Sequence, residues 1–253
     1  MAVSPAQGQP GSGLSAIGSL WREPEHEREQ LLWPTLQMHD VFKIFRSGPV
    51  ETVALRGLEL RVERAEMVAV LGPSGCGKST MLSLVAALDQ PSAGEVRVGE
   101  RSLQRLDERE LASYRAGGVA VVFQSDNLWP QLSARENVAL TLRLAGHEAP
   151  FDAAEEALRV FALSERAGNR AGALSGGEQQ RVAIAAAYAR ATPLVLADEP
   201  TGELDALGEE AVLEALADLR GRRGSTIVLV THSAKVAAAA DRVIEMRDGR
   251  ALA

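Results

Sequence analysis

The sequence predicts an α/β fold: a mainly parallel β-sheet covered by helices, a small antiparallel β-subdomain ahead of it, and a helical subdomain inserted in it. Three observations carry this. Short apolar runs alternate with helix-patterned stretches in the second half of the chain, an order that buries strands on both faces. One run is followed by the glycine-rich segment Gly72-Pro73-Ser74-Gly75-Cys76-Gly77-Lys78-Ser79-Thr80 and then by a helix. From about residue 126 to residue 187 the pattern is helical with no strand between.

Taken in order, residues 1–34 combine a Pro/Gly/Ser/Gln-rich start with a charged piece, Arg22–Gln30, between Trp21 and Trp33. A flexible tail is expected there, with the alternative that the tryptophans pin a short helix. Residues 35–253 then form one domain. The β-like runs Leu36–Phe45 and Thr52–Val62 flank Arg46-Ser47-Gly48-Pro49, turn chemistry that predicts an antiparallel hairpin, and Gly94–Val98 adds a strand to the same small sheet. Asp107 with Glu110, and Ser133 with Glu136, have capping-box spacing. The first helix should end before Gly117-Gly118 and lead into the strand Val119–Phe123; the second should run to Arg143. Asp152–Phe161 has helical spacing. Strands are expected at Leu194–Asp198, Thr226–Val230 and Arg242–Met246, with helices at Ala206–Arg220 and from Ser233, and Asp248-Gly249 turns the chain into a terminal hairpin.

The apolar run Met67–Leu71 before the glycine-rich segment makes it a phosphate-binding loop. A strand that turns tightly into a helix aims backbone N–H groups and the positive end of the helix dipole at one spot. Lys78 then reaches terminal phosphates and Ser79 supplies a magnesium ligand. Cys76 is the only cysteine, which excludes an intramolecular disulfide and suits a reducing compartment, the cytosol.

Pro193–Glu199 is an apolar strand ending in two carboxylates. In a phosphate-loop protein Asp198 belongs on magnesium and Glu199 is placed to orient and deprotonate the attacking water; the alternative is a solvated capping pair before Pro200. Leu174-Ser175-Gly176-Gly177-Glu178-Gln179-Gln180-Arg181 opens a helix running to Arg190, with a serine and two bare backbone amides at its start. It is a second anion cradle. One phosphate loop per chain leaves that cradle without a ligand unless it completes the site of another copy, so a dimer is expected.

With these motifs, the chain from Leu36 onward resembles the nucleotide-binding domain of an ABC transporter, a P-loop NTPase. The resemblance implies ATP and Mg2+ as ligands, bound by residues 72–80 and sandwiched in a head-to-tail homodimer by Ser175, Gly176 and Gly177 of the second copy. It further implies that Gln124 senses magnesium and touches a membrane permease, that His232 meets the γ-phosphate, that Asp205 lies in a loop communicating across the dimer, and that Phe45 stacks on adenine. His232 could equally cap a helix, and Phe45 could be core. Ala65 stands where the family commonly has glycine, a cost of about 1 kcal/mol if φ is positive. Ala186 stands where an arginine is frequent. Cys76 beside Lys78 raises the question of thiol reactivity, against a small residue that merely fits. The run Ala197–Asp205 and the segment Val122–Leu128 resemble the branch serving lipoprotein release and macrolide or peptide export, and the related cell-division pair, in which closure signals through a membrane protein without transport.

The formal charge of −7 argues against a broad nucleic-acid face, and 46% hydrophobic content supports a substantial core. No apolar run approaches a membrane span. The expectation is therefore a cytoplasmic subunit held at the inner face of the membrane by its permease, with the exposed-looking apolar loop at Leu128, Trp129 and Leu132 as the dock.

Overall fold

A computed structural model describes residues 35–252. The expected tail, residues 1–34, lies outside them. The elements run β1 (Leu36–Ser47), β2 (Val50–Val62), β3 (Met67–Leu71), α1 (Lys78–Val85), β4 (Ala93–Val98), β5 (Arg101–Ser102), α2 (Glu108–Ser113), β6 (Val119–Val122), α3 (Ala134–Leu144), α4 (Pro150–Val160), α5 (Gly176–Arg190), β7 (Leu194–Asp198), α6 (Ala206–Arg223), β8 (Thr226–Val230), α7 (Ala234–Ala238), β9 (Arg242–Arg247) and β10 (Arg250–Leu252). They form two sheets. One is antiparallel, ordered β2-β1-β4-β5; the other, ordered β10-β9-β3-β8-β7-β6, is parallel except for the terminal β10–β9 pair.

The parallel strands are apolar on both sides, and their period of two sorts the side chains into two cores. Val195, Ala197, Ile227 and Leu229 join α3, α4, α5 and α6 in one cluster. Leu194, Leu196, Val228 and Val230 face the other way, toward α1 and the antiparallel sheet. Alanines at 183 and 185–187 let α5 sit buried between the sheet and the helices of residues 126–187.

Both expected capping boxes form, at Asp107/Glu110 and Ser133/Glu136. The first helix departs from expectation. It stops at Ser113, and Tyr114–Gly118 continues as a π-helical turn through the glycines into β6. Long-range partners explain the change: the Tyr114 hydroxyl donates to Val85 O at 2.7 Å, Arg115 donates to Ala87 O, and one guanidinium nitrogen of Arg190 serves the carbonyls of Arg115, Ala116 and Val119. Carbonyls satisfied by a half-buried arginine no longer need an α-helical ladder. Burial also pushes the Tyr114 hydroxyl well above its ordinary pKa.

Candidate functional site

The carboxyl edge of the parallel sheet gathers the predicted residues. Register aligns Val70 with Val230, Val230 with Asp198, and Val122 with Ala197, so the residues just beyond, in the phosphate loop, at His232, at Glu199 and at Gln124, emerge at one level. Open parallel sheets hold ligands at this edge.

Gly77 begins α1 with φ of 104°, and a Cβ there would come within 2.6 Å of Ala54 O, so only glycine lets the loop close against β2. Lys78, Ser79 and Thr80 therefore form the first helical turn. Lys78 Nζ donates to Gly72 O at 2.8 Å and Pro73 O at 3.0 Å, folded over its own loop. Ser79 Oγ donates to Asp198 Oδ2 at 2.6 Å, which joins the loop to the end of β7. The oxygen pair suits a small hard cation. Among the described residues no cluster of three or more His, Cys, Asp or Glu could hold a metal alone, so an ion at Ser79 and Asp198 would complete its shell with water or phosphate oxygens. Cys76 is buried in the apolar cluster beneath the loop, which favours the space-filling reading of its side chain and leaves only its backbone to face an anion.

Glu199 follows with φ of 47°, a left-handed conformation costing about 1–2 kcal/mol for a residue with a Cβ. Its backbone N–H donates to Val230 O at 2.8 Å, which ties the strained residue to β8. Its carboxylate lies 2.8 Å from His232 Nδ1 and also accepts from His232 N. The carboxylate is 13% exposed and the imidazole 80%, so an inward base is held by an outward ring. Gln124 is exposed beyond β6, and among the described residues no hydrogen bond joins it to Ser79 or Asp198. Phe45 is not core: it is 45% exposed near the β1–β2 turn, with Lys43 Nζ 5.0 Å from its ring centre.

Ser175 caps α5, accepting from Glu178 N, and Glu178 returns a bond from Ser175 N while pairing with Arg166. These bonds, that from the Ser175 backbone foremost, hold the Glu178 carboxyl below its ordinary pKa. Gly177 lies against the loop after Glu199: a Cβ there would sit 2.9 Å from Glu203 O. Asp205 ends that loop as the N-cap of α6, accepting from Gly208 N at 2.8 Å. Among the described residues no hydrogen bond or ion pair joins residues 72–80 to residues 175–177.

Asn137 could not be singled out from the sequence, beyond its being a poor helix former inside a helix. It is 3% exposed and grips the loop before α3: Oδ1 accepts from Trp129 N at 2.7 Å, and Nδ2 faces the carbonyls of Trp129, Leu132 and Ser133. Asn127 does the same at the loop's start, bonding both backbone groups of Phe123. Held this way, Trp129 stands 62% exposed beside Leu144, and a pocket of about 130 Å3 opens between them and Ala186. Leu128 packs instead on the helical core, and Leu132 is half-buried.

Comparison with known proteins accords with this geometry. The sequence model of the family described as ABC transporter matches residues 55–202. The lipoprotein-releasing system ATP-binding protein LolD of Anaeromyxobacter dehalogenans is 42% identical over 228 residues, covering 89% of this chain and 95% of its own. The macrolide export ATP-binding/permease protein MacB of Marinobacter nauticus is 43% identical over 219 residues; the chain spans only 34% of that longer protein. Among solved structures, the ATP-binding cassette MJ0796, dimeric and bound to ADP and Pi after hydrolysis, superposes with a TM-score of 0.82 at 38% identity, covering 86% of this chain and 97% of its own. With a phosphate loop, a paired Ser79–Asp198, a cradle at Ser175 and these relatives, the chain belongs to the ABC transporter family, in its LolD and MacB group.

Proposed function

We propose that this chain binds and hydrolyses ATP with Mg2+, dimerises head to tail around two nucleotides, and drives a separate membrane permease that exports a lipoprotein, peptide or drug. The observation that carries the chemistry is the pair of contacts on neighbouring strand ends, Ser79 to Asp198 and Glu199 to His232. Residues 35–253 are the nucleotide-binding domain in this reading, with residues 126–187 as its helical subdomain.

The amides of residues 72–80 and Lys78 hold the phosphates, and Phe45 covers the adenine. Ser79 and Asp198 would hold magnesium, with Gln124 as the residue that senses it, and the ion would supply neutralisation of the phosphate charge. Glu199 takes the proton of the attacking water, and His232 holds that carboxylate in place and can hydrogen-bond the γ-phosphate. Ser175, Gly176 and Gly177 of the second copy close each site, and Asp205 anchors the loop between the two. Positioning and electrostatics carry the rate.

The permease docks at the groove beside Trp129, whose exposed indole is the kind of anchor that dominates an interface. The relatives support such a partner. LolD is named as an ATP-binding protein of a releasing system, and MacB as ATP-binding protein and permease together. Among the described residues no helix is long and apolar enough to cross a membrane. In this reading the permease holds the domain at the inner face of the membrane.

The test is Glu199→Gln. ATP binding should persist while hydrolysis falls by roughly 10² to 10⁴, the effect of losing a general base. With ATP the variant should elute as a dimer, and adding Ser175→Arg should return it to monomer. Wild-type turnover in Glu199→Gln would overturn the assignment.

A further inference from the structure

The order of the parallel sheet gives the phosphate loop two electrically different flanks. On one side, β8 and β7 lead to the carboxylates of Asp198 and Glu199. On the other, the β9–β10 turn backs onto β2, where Arg56 N donates to Gly249 O at 2.9 Å. An open cleft of about 690 Å3 lies there, lined by Ala54, Gly75, Arg56, Arg247, Asp248 and Arg250. Gly75 belongs to the phosphate loop, so the cleft and the loop share one surface.

Three arginines and a single carboxylate line this cleft. Arg247 lies 3.9 Å from Asp248, with both side chains exposed, and among the described residues neither Arg56 nor Arg250 has an acidic partner. The chain as a whole carries −7, so an incoming polyanion meets a repelling field on average. Local field then decides the route of approach, because a charged cleft with protein walls focuses potential more than a flat surface does. Guanidinium is well suited to such a cleft, since it stays charged at any working pH and sheds water readily.

We propose that Arg56, Arg247 and Arg250 form an entry site for the nucleotide polyphosphate, which they draw in along the flank away from Asp198 and Glu199 and pass to the loop. The site governs how fast nucleotide arrives. Lys78 and the loop amides govern how long it stays. This inference rests on the ATP-site reading above, and its failure is distinguishable from the failure of that reading.

The experiment is stopped-flow binding of N-methylanthraniloyl-ATP, with magnesium, to the full chain at low and near-physiological salt. Arg56→Gln/Arg247→Gln/Arg250→Gln should lower the association rate constant about tenfold at low salt, the lower end of electrostatic steering, and flatten its salt dependence. Its dissociation rate constant and its kcat at saturating ATP should stay within twofold of wild type. The matching triple lysine variant should keep the fast association. A control with equal charge loss outside the cleft, Arg101→Gln/Arg105→Gln/Arg109→Gln, should associate as wild type does. An unchanged association rate, an equal loss in the control, or a dissociation rate that rises in step with the loss would each overturn the entry site. Failure of the wild-type chain to bind the probe would overturn the ATP-site reading itself.

Discussion

Asn137 offers a sharp test of how the loop after Gln124 is held. Asn137→Ala removes every bond its amide makes, but the groups left behind fare differently. Ser133 O still accepts from Asn137 N, Leu132 O from Ala171 N, and Trp129 O from Leu132 N. Only the Trp129 backbone N–H loses its sole partner. A stranded donor costs about 1–3 kcal/mol, and this loop edge lies near solvent, which favours the lower half of that range. Alanine returns about 0.5 kcal/mol of helix propensity. The expected net loss is about 1 kcal/mol, read as a shift of the urea midpoint at unchanged slope. Asn137→Asp is more demanding. It keeps the acceptor for Trp129 N but turns a carboxylate oxygen toward three carbonyls at 3.0 to 3.3 Å. That variant should be less stable than the alanine one at neutral pH and should recover in acid as the carboxyl is protonated. If Ala is neutral and Asp no worse than Ala, Asn137 does not hold the loop.

Trp129→Ala should retain near-normal ATPase activity as an isolated subunit yet fail to co-purify with, or be stimulated by, its permease; intact coupling would place the dock elsewhere, and unfolding would show Trp129 to be structural. Ala65 has φ of 56°, so Ala65→Gly should raise stability by about 0.5–1 kcal/mol despite the looser unfolded chain, and a lowered urea midpoint would refute the strain. Glu178→Ala should cost about 1 kcal/mol through loss of the reciprocal cap and the Arg166 pair. The Glu178 pKa is lowered in the folded state, so its contribution is complete above the ordinary carboxylate value of 4.5 and is lost as pH falls through the lowered one. Wild type and variant should therefore converge in acid, and a gap that persists there would exclude the ionised cap.

Features encoded within a few residues were readable in the sequence. The two expected capping boxes, the buried strands Leu194–Asp198 and Thr226–Val230, and the turn at Asp248-Gly249 each form where local chemistry places them. The glycine-rich turn into α1 and the placing of Asp198 and Glu199 at the end of β7 were legible for the same reason, since each is set by one short contiguous run. Features set by a distant partner were not. The π-helical turn depends on Arg190, more than 70 residues away, and nothing near Gly117 announces it. Asn137 reads as an ordinary polar helix position until the preceding loop folds over it. Phe45 could not be sorted between core and surface because a strand alternates faces, and the bulges of β1 reset which face it takes.

The position of Lys78 bears on the thermodynamics of nucleotide arrival. With both Gly72 and Pro73 carbonyls as partners, its ammonium is solvated by the backbone of its own loop. In the proposed ATP site, binding would be an exchange of acceptors rather than the filling of a bare charge, and the lysine would contribute only the difference between phosphate and carbonyl. That difference favours the anion, since a phosphate oxygen carries net negative charge where a carbonyl oxygen carries only the end of a dipole. Release, in turn, would find those two carbonyls ready beside the cation, so the proposed site would let go of its ligand without passing through an uncompensated state.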